Sequence, residues 1–325
     1  MGAGVLRRAV SRIVTALKAA IGDWRSAWSA DVPPHSYALL RIALGAMGLL
    51  SLAGLTPIGM FWTLDGLSPL SADGTGPRAW LLAHGLGTIA GWAAYGALVA
   101  VFLAITLGFH SDAAVLAGFI GLVAQDHWNH LPLSSAHQVM IVLLFCLMWA
   151  ETGRVWSLDA HLAGPATYGA GRRVPAWPLM LMRCQIAIVY GSTGLWKLAY
   201  PVWRDGSAVH WALSLNGFHR LPWPVPASAA PLVAMLTWGT VLFELSFPVL
   251  VLFRRTRPIA LLGGIALHLG LFAVLELGPF SLIMIASYLA FLDPWKTGRL
   301  FAPRGGGRHD HKSAVPDQDA RLASQ

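Results

Sequence analysis

The residues most suggestive of chemistry lie on one apolar stretch in the second half of the chain. Arg183, Tyr190 and Lys197 follow one another at intervals of seven residues, so an α-helix presents all three on one face. Tyr190 can extend a hydrogen bond along that face, and Lys197 stands at its far end beside Trp196. A lysine partly withdrawn from water can act as a base near neutral pH, whereas a lysine at a helix end can also extend its ammonium into water. Both interpretations stay open.

Two further ionisable residues, Glu244 and His268, also fall within apolar stretches. An ionisable group inside a membrane is costly, so it is usually paired and often functional. Counted from the ends of their stretches at about 1.5 Å per residue, Arg183 and Glu244 have similar depths, which predicts an ion pair that clamps two helices together. His268 is interpreted either as a hydrogen-bonded core residue or as a supporting group of a site.

Three histidines lie around one predicted outer loop: His127, His130 and His137. His127 and His130 have the spacing of a helical metal pair, but Asp126 is the only acidic residue that accompanies them. No metal site is therefore predicted. A single histidine that acts as an acid, a base or a hydrogen-bond donor is the preferred interpretation.

These residues must be positioned by helices that cross a membrane. Hydrophobic residues make up 56% of the 325 residues and charged residues only 12%, against about 25% charged residues in a soluble domain. A span takes about 20 apolar residues. The candidate spans are 37–57, 87–109, 112–126, 136–151, 176–199, 231–253, 257–277 and 279–293. The predicted fold is an all-α, polytopic transmembrane bundle of about eight spans.

Two polar segments flank the predicted bundle, which occupies residues 36–294. Residues 1–35 contain a basic amphipathic helix, which suits the surface of an anionic leaflet. Residues 295–325 form a polar tail whose composition is typical of disorder. The two cysteines, Cys146 and Cys184, lie in apolar stretches and are interpreted as core residues, because two buried thiols make no disulfide framework.

Basic residues concentrate in alternate loops. With the N-terminus inside, the inner segments collect most of them, whereas the outer loops hold Arg78, Arg204 and Arg220. The positive-inside rule then places both termini in the cytoplasm. Because the basic residues are spread over loops and form no single patch, the lipid bilayer is the expected partner and nucleic acid is not.

The stretch 190–198, YGSTGLWKL, with Trp203-Arg-Asp205-Gly after it, resembles the HTTM domain. That domain is the membrane part shared by vitamin K-dependent γ-carboxylase and many bacterial proteins. Leu40-Arg41-Ile42 resembles its first span, and the series from Glu244 through His268 to Pro294 resembles its last three spans in order. The likeness covers roughly residues 36–295 and implies a bacterial inner-membrane protein.

The resemblance implies a chemistry. In the carboxylase, a lysine deprotonates reduced vitamin K, which then reacts with oxygen and becomes a base strong enough to act on glutamate. Lys197 stands at that lysine. The resemblance also matches His137 to a histidine of the carboxylase that hydrogen-bonds the quinone. The carboxylase has asparagine before that histidine, whereas this chain has Ala136, and Asn129-His130 is the alternative counterpart. A reduced quinone is thus the expected cofactor.

The other expected site residues divide into two groups. Those expected to support the site are Tyr190, Arg183, Glu244, His268, Trp203 and Asp205. Those expected to contact the cofactor are His130, Trp196 and Trp211. Of these, Trp196 and Trp211 are expected to wall an outer cavity together with Trp203.

The chain ends about thirty residues after its last predicted span, so the large outer domain that holds the carboxylase's protein substrate is not expected. An exported protein or peptide, or a partner subunit, would then supply the substrate. Two other function classes stay open. One is a non-enzymatic membrane accessory or maturation factor for an exported protein. The other is a small transporter that uses Arg183, Glu244 and His268 as a relay, against which the absence of an inverted repeat argues.

Overall fold

The computed structural model describes residues 2–55, 62, 77–128, 135–164, 172–215, 217, 220 and 226–300. The predictions for His130, and for the polar tail beyond residue 300, lie outside the described residues.

Helices make up almost all of the described chain, with one two-residue antiparallel strand pair between them. The elements in chain order are α1 (Gly2–Trp28), β1 (Asp31–Val32), α2 (His35–Ala53), α3 (Pro77–Ala83), α4 (Gly87–Leu107), α5 (Ser111–Trp128), α6 (Ser135–Leu147), α7 (Leu158–Ala163), β2 (Val174–Pro175), α8 (Trp177–Ala199), α9 (Pro201–Arg204), α10 (Ala208–Ser214), a 3-10 turn (Ala227–Ala229), α11 (Ala230–Leu252), α12 (Arg257–Val274), α13 (Phe280–Ser287), a 3-10 turn (Tyr288–Phe291) and α14 (Pro294–Leu300).

Each of the stretches predicted to span the membrane contains a helix, and the all-helical fold is confirmed. Helices α2, α4, α11 and α12 are long and apolar enough to cross a bilayer. Helix α6 and the segment from α13 through the following 3-10 turn are apolar but shorter. A total of eight spans, and a membrane-surface position for α1, stay predictions.

Proline and glycine mark several of the helix boundaries. Helices α8, α11 and α12 each begin with a proline in the first turn, where its missing N–H group needs no partner. Helix α4 ends at Gly108, which adopts a left-handed conformation with φ of 70°. Its N–H group donates to the carbonyl of Ala104 at 2.8 Å, the αL cap that glycine forms without steric strain.

The helices pack most closely where glycine faces a neighbour. A Cβ atom added to Gly194 of α8 would lie 3.1 Å from Glu244 Cβ of α11, and one added to Gly191 would lie 3.2 Å from Pro248 Cγ. Gly45 and Gly48 of α2 likewise leave no room for a side chain against α4. Small residues at such positions let helix backbones approach, so the sequence fixes the α8–α11 and α2–α4 pairs.

A fully buried arginine joins three segments at one end of the bundle. Arg41 of α2 has no exposed surface. Its guanidinium donates to the carbonyls of Ile105 at 2.7 Å and Thr106 at 3.0 Å, in the last turn of α4. It also donates to the carbonyls of Thr152 at 3.2 Å and Trp156 at 2.5 Å. Carbonyls at a helix C-terminus carry partial negative charge, so they stabilise this cation in place of a carboxylate.

A carboxylate that acts electrostatically on Arg41 caps a helix. Asp159 accepts hydrogen bonds from the backbone N–H groups of His110 at 2.8 Å and Ser111 at 2.7 Å, at the start of α5. Burial raises the pKa of Asp159, but the hydrogen bonds from Ser111 and His110 outweigh it and hold the pKa below its ordinary value. Asp159 is therefore ionised near neutral pH and complements the positive end of α5.

We expect Arg41→Met to destabilise the protein strongly, because the carbonyls around it lose their donors. Each buried acceptor left without a partner costs roughly 1–3 kcal/mol, so the free energy of unfolding should fall by about 3–5 kcal/mol. Thermal unfolding in detergent measures the change, with the exposed Arg172→Gln as control. Equal stability of the two variants would contradict the role assigned to Arg41.

Candidate functional site

Lys197 and Glu244 form an ion pair between α8 and α11. Lys197 Nζ contacts Glu244 Oε1 directly, and the two side chains are only 22% and 9% exposed. The pair forms because Gly194, one turn before Lys197, lets α11 approach at Glu244. Trp203 of α9 covers the ammonium, with its ring centroid 4.7 Å from Nζ, a distance suited to a cation–π interaction.

The predicted ion pair between Arg183 and Glu244 is wrong. Arg183 Nε donates to the carbonyl of Ala290 at 2.6 Å, and Nη2 donates to that of Leu292 at 3.0 Å. The two helices are antiparallel and in register at Gly194 and Glu244, so Arg183 lies about three turns from Glu244. Depth counted from helix ends failed because the ends of α8 and α11 are not level.

Tyr190 lies seven residues before Lys197, on the same face of α8. It belongs to a buried hydrogen-bonded cluster and not to the predicted link with Arg183. Its hydroxyl lies 2.7 Å from His268 Nε2 and also contacts the hydroxyl of Tyr288. All three residues are at most 4% exposed. The Tyr190 ring stacks on Phe247 of α11, with centroids 4.0 Å apart. We call these three polar residues the Tyr–His–Tyr cluster.

The Tyr–His–Tyr cluster lies close to the ion pair. Glu244 interacts electrostatically with Tyr190, and Lys197 with His268. Phe247, whose ring stacks on Tyr190, follows Glu244 by one helical turn in α11. The structure therefore brings Lys197, Glu244, Tyr190, His268 and Trp203 of the predicted site residues into one region.

A cavity of about 580 Å³ opens beside this region. Its walls are mostly apolar and come from α2, α4, α5, α6 and the segment between α12 and α13. Phe280 lines the cavity and also packs edge-on against His268, with ring centroids 5.6 Å apart. Phe280 thus separates the cavity from the Tyr–His–Tyr cluster.

His137 lines this cavity, away from Lys197. Its Nε2–H group donates to the carbonyl of Leu122 at 3.1 Å. The same nitrogen lies 2.6 Å from Asp126 Oδ1, which makes an electrostatic contact with poor hydrogen-bond alignment. Asp126 also accepts from Gln138 Nε2 at 3.1 Å. Asp126 therefore fixes the start of α6 against the end of α5 and holds the His137 ring at the cavity.

Two tryptophans expected at the cofactor lie on the surface. Trp196 is 68% exposed and Trp211 is 56% exposed, and neither is among the described residues that line the large cavity. Trp196 packs edge-on against Tyr200, with ring centroids 6.0 Å apart. Exposed indole rings at helix ends are typical of the boundary between bilayer and water.

Asp205 has a structural role in the turn after α9. Its Oδ1 accepts from the backbone N–H group of Ser207 at 2.8 Å. Hydrogen bonds from the side chain and backbone of Ser207 lower the pKa of Asp205. Gly206, with φ of 83°, completes a turn that returns the chain towards α11. Asp205 thereby supports the segment that holds Trp203 over Lys197.

Sequence analysis missed Tyr288, Gln125 and the role of Asp126. Tyr288 sits in an apolar run whose only signal is a tyrosine among aliphatic residues. Gln125 lines the cavity at 6% exposure, and its Oε1 atom has no hydrogen-bond partner in the described part of the chain. A glutamine inside an apolar helix was the available signal, because a buried amide is costly unless it is paired.

The fold and the site define a helical membrane protein that keeps an ion pair and a hydrogen-bonded cluster among apolar helices, next to a ligand-sized cavity. The sequence matches the HTTM domain over residues 87–295, and the chain belongs to that family. The predicted family is confirmed. No solved structure matches the chain.

Two proteins of Bacillus subtilis (strain 168) are similar to this chain. "Uncharacterized protein YitO" is 30% identical over 208 residues, which are 60% of this chain and 65% of YitO. "Sporulation-delaying protein SdpB" is 26% identical over 121 residues, which are 36% of this chain and 38% of SdpB. The chain thus matches less than two thirds of the length of either relative.

A double-mutant cycle tests the partner of Glu244. Replacing Lys197 with Met leaves the Glu244 carboxylate without its cation, which should cost roughly 3–5 kcal/mol. Lys197→Met and Glu244→Gln should therefore show a coupling energy above about 0.5 kcal/mol in equilibrium unfolding in detergent. A second cycle combines Arg183→Gln with Glu244→Gln as the control. The effects of these two changes on the free energy of unfolding should simply add. A larger coupling with Arg183 than with Lys197 would contradict the structure.

Proposed function

We propose that this protein uses a reduced quinone and oxygen, with the ring of the quinone in the large cavity and with Lys197 as the base. The observation that carries the proposal is the Lys197–Glu244 pair, largely withdrawn from water and close to the Tyr–His–Tyr cluster behind the cavity. Ionisable groups held among apolar helices are costly, and they are usually retained for function.

The cavity residues fit such a cofactor. About 580 Å³ is within the usual range for a small-molecule site, which is mostly apolar with a few polar groups. Leu52, Phe102 and Phe280 supply flat apolar walls. The unpartnered Oε1 of Gln125 can accept a hydrogen bond from a ring hydroxyl, and His137 supplies a second polar contact.

When bound, the reduced quinone supplies the oxygen-dependent chemistry that the family resemblance implies. The residues of the chain hold and move protons around it. Within the pair, Glu244 takes up the proton of the Lys197 ammonium, which leaves a neutral amine that can act as the base, and Trp203 lies over that nitrogen. His268 and Tyr190 offer nitrogen and hydroxyl groups between Phe280 and α8 through which a proton can pass towards Lys197.

The proposal includes the setting of this chemistry. The site faces the outer side of a bacterial inner membrane, with both termini in the cytoplasm, as the distribution of Lys and Arg supports. An exported protein or peptide, or a partner subunit, supplies the substrate that receives the reaction. Carbon dioxide addition, as in the carboxylase, is one such use of the chemistry.

A second candidate is a non-enzymatic accessory or maturation factor for an exported protein. The similarity to SdpB favours it, because that relative is described as a sporulation-delaying protein. This candidate predicts a specific partner that copurifies with the chain. It also predicts that Lys197→Met leaves the function unchanged as long as the protein folds.

Quinone retention and oxygen uptake together test the first candidate. We expect protein purified with its native lipid to retain a quinone detectable by mass spectrometry after extraction. His137→Ala and Gln125→Met should reduce its occupancy about tenfold, because each removes a polar contact with the ring. Lys197→Met should retain the quinone but abolish oxygen uptake that depends on reduced quinone.

Matched controls exist for each change. His127→Ala removes an exposed histidine from the same end of α5, and Lys296→Met removes an exposed lysine at the other end of the bundle. Both should behave like the wild type. A folded protein without any quinone, or oxygen uptake that persists in Lys197→Met, would reject the enzyme and favour the accessory protein.

A further inference from the structure

The turn between α11 and α12 carries three arginines at the end of the bundle opposite the cavity. Arg254 and Arg255 are exposed, and Arg257 is half-buried. Arg257 Nε donates to the carbonyl of Val251 at 3.0 Å, and the Thr256 hydroxyl donates to the carbonyl of Leu250 at 2.6 Å. The turn is thus fixed by its own hydrogen bonds to the last turn of α11, while Arg254 and Arg255 are exposed.

A buried fourth arginine adds to this positive charge. Arg183 is 9% exposed and interacts electrostatically with both Arg254 and Arg257. Its guanidinium donates to the carbonyls of Ala290 and Leu292 and to the Met180 sulfur. Asp293 is the carboxylate that acts on Arg183 and Arg257, but its Oδ1 atom already accepts from the N–H group of Trp295 at 2.9 Å.

Among the described residues, Asp293 acts on two of these arginines electrostatically but forms no ion pair with them. In the part of the chain that the structure describes, the ion pairs join other residues, and none includes Arg183, Arg254, Arg255 or Arg257. The positive charges of Arg183, Arg254 and Arg257 repel one another, and this repulsion is strongest where little water screens it. A bound anion would remove that repulsion, and guanidinium groups match the geometry of phosphate.

The surroundings select the source of the phosphate. Val249 of α11 and Ile259 and Leu262 of α12 flank the turn and are 58%, 66% and 66% exposed. These side chains form an apolar surface beside the arginines. The indole N–H of Trp24, near the end of α1, donates to the carbonyl of Leu252 at 3.3 Å, which brings a tryptophan to the same place, as is common at the headgroup level of a bilayer.

We propose that Arg254, Arg255 and Arg257, with Trp24 of α1, bind the headgroup of an anionic phospholipid whose acyl chains lie along Val249, Ile259 and Leu262. Basic residues at the cytoplasmic edge of transmembrane helices recognise such headgroups. A free phosphate would use the arginines but not the apolar surface. The site is independent of the quinone chemistry, so either proposal can fail alone.

Lipid retention tests this site. Protein stripped of lipid in detergent is mixed with phosphatidylglycerol or phosphatidylcholine, and bound lipid is counted by native mass spectrometry. We expect the wild type to prefer phosphatidylglycerol by about tenfold or more, and Arg254→Gln/Arg255→Gln to lose that preference. Arg254→Lys/Arg255→Lys keeps the charge without the planar guanidinium and should retain only part of it.

A matched control removes equal charge elsewhere on the same end. Arg172→Gln/Arg299→Gln alters two other exposed arginines and should bind phosphatidylglycerol within about twofold of the wild type. If both double variants lost the preference for phosphatidylglycerol equally, the preference would come from positive charge in general, and the proposed site would be wrong. The absence of a lipid preference, or displacement of the lipid by inorganic phosphate at equal concentration, would also overturn the site.

Discussion

The close approach of α8 to α11 is the constraint on which the arrangement of the site depends. Gly191 and Gly194 bring the two backbones together, and this contact sets the register between the helices. The register decides that Glu244 meets Lys197 and that Phe247 stacks on Tyr190. A bulkier residue at Gly194 would shift both contacts together, so the ion pair and the Tyr–His–Tyr cluster are parts of a single packing arrangement.

The cavity is built by different helices. Its walls come chiefly from α2, α6 and residues 276–280, and Asp126 holds His137 there by bridging α5 to α6. Phe280 is the shared wall between the two parts, because it lines the cavity on one side and packs against His268 on the other. The Phe280 ring therefore stands between a ligand in the cavity and the buried polar groups.

Local patterns predicted the helices but not the partners of the buried charges. Apolar runs located each helix of the bundle, and the seven-residue spacing correctly placed Tyr190 and Lys197 on one face. The depth of Glu244 was misjudged, because α8 and α11 are staggered along their length, with Gly191 opposite Pro248 and Gly194 opposite Glu244. Gln125 and Tyr288 escaped notice, since single polar residues within apolar helices gain meaning only from what packs against them.

The partners of the buried charges follow one rule. Among the described residues, Arg41, Arg183 and Glu244 are the buried charged groups, and both arginines are satisfied by backbone carbonyls where helical segments end. Those carbonyls have no partner within their own helix and carry partial negative charge. Because the arginines need no carboxylate, Glu244 remains available to Lys197. A bundle that paired Arg183 with Glu244 would leave Lys197 without its partner and with no group to hold it beneath Trp203.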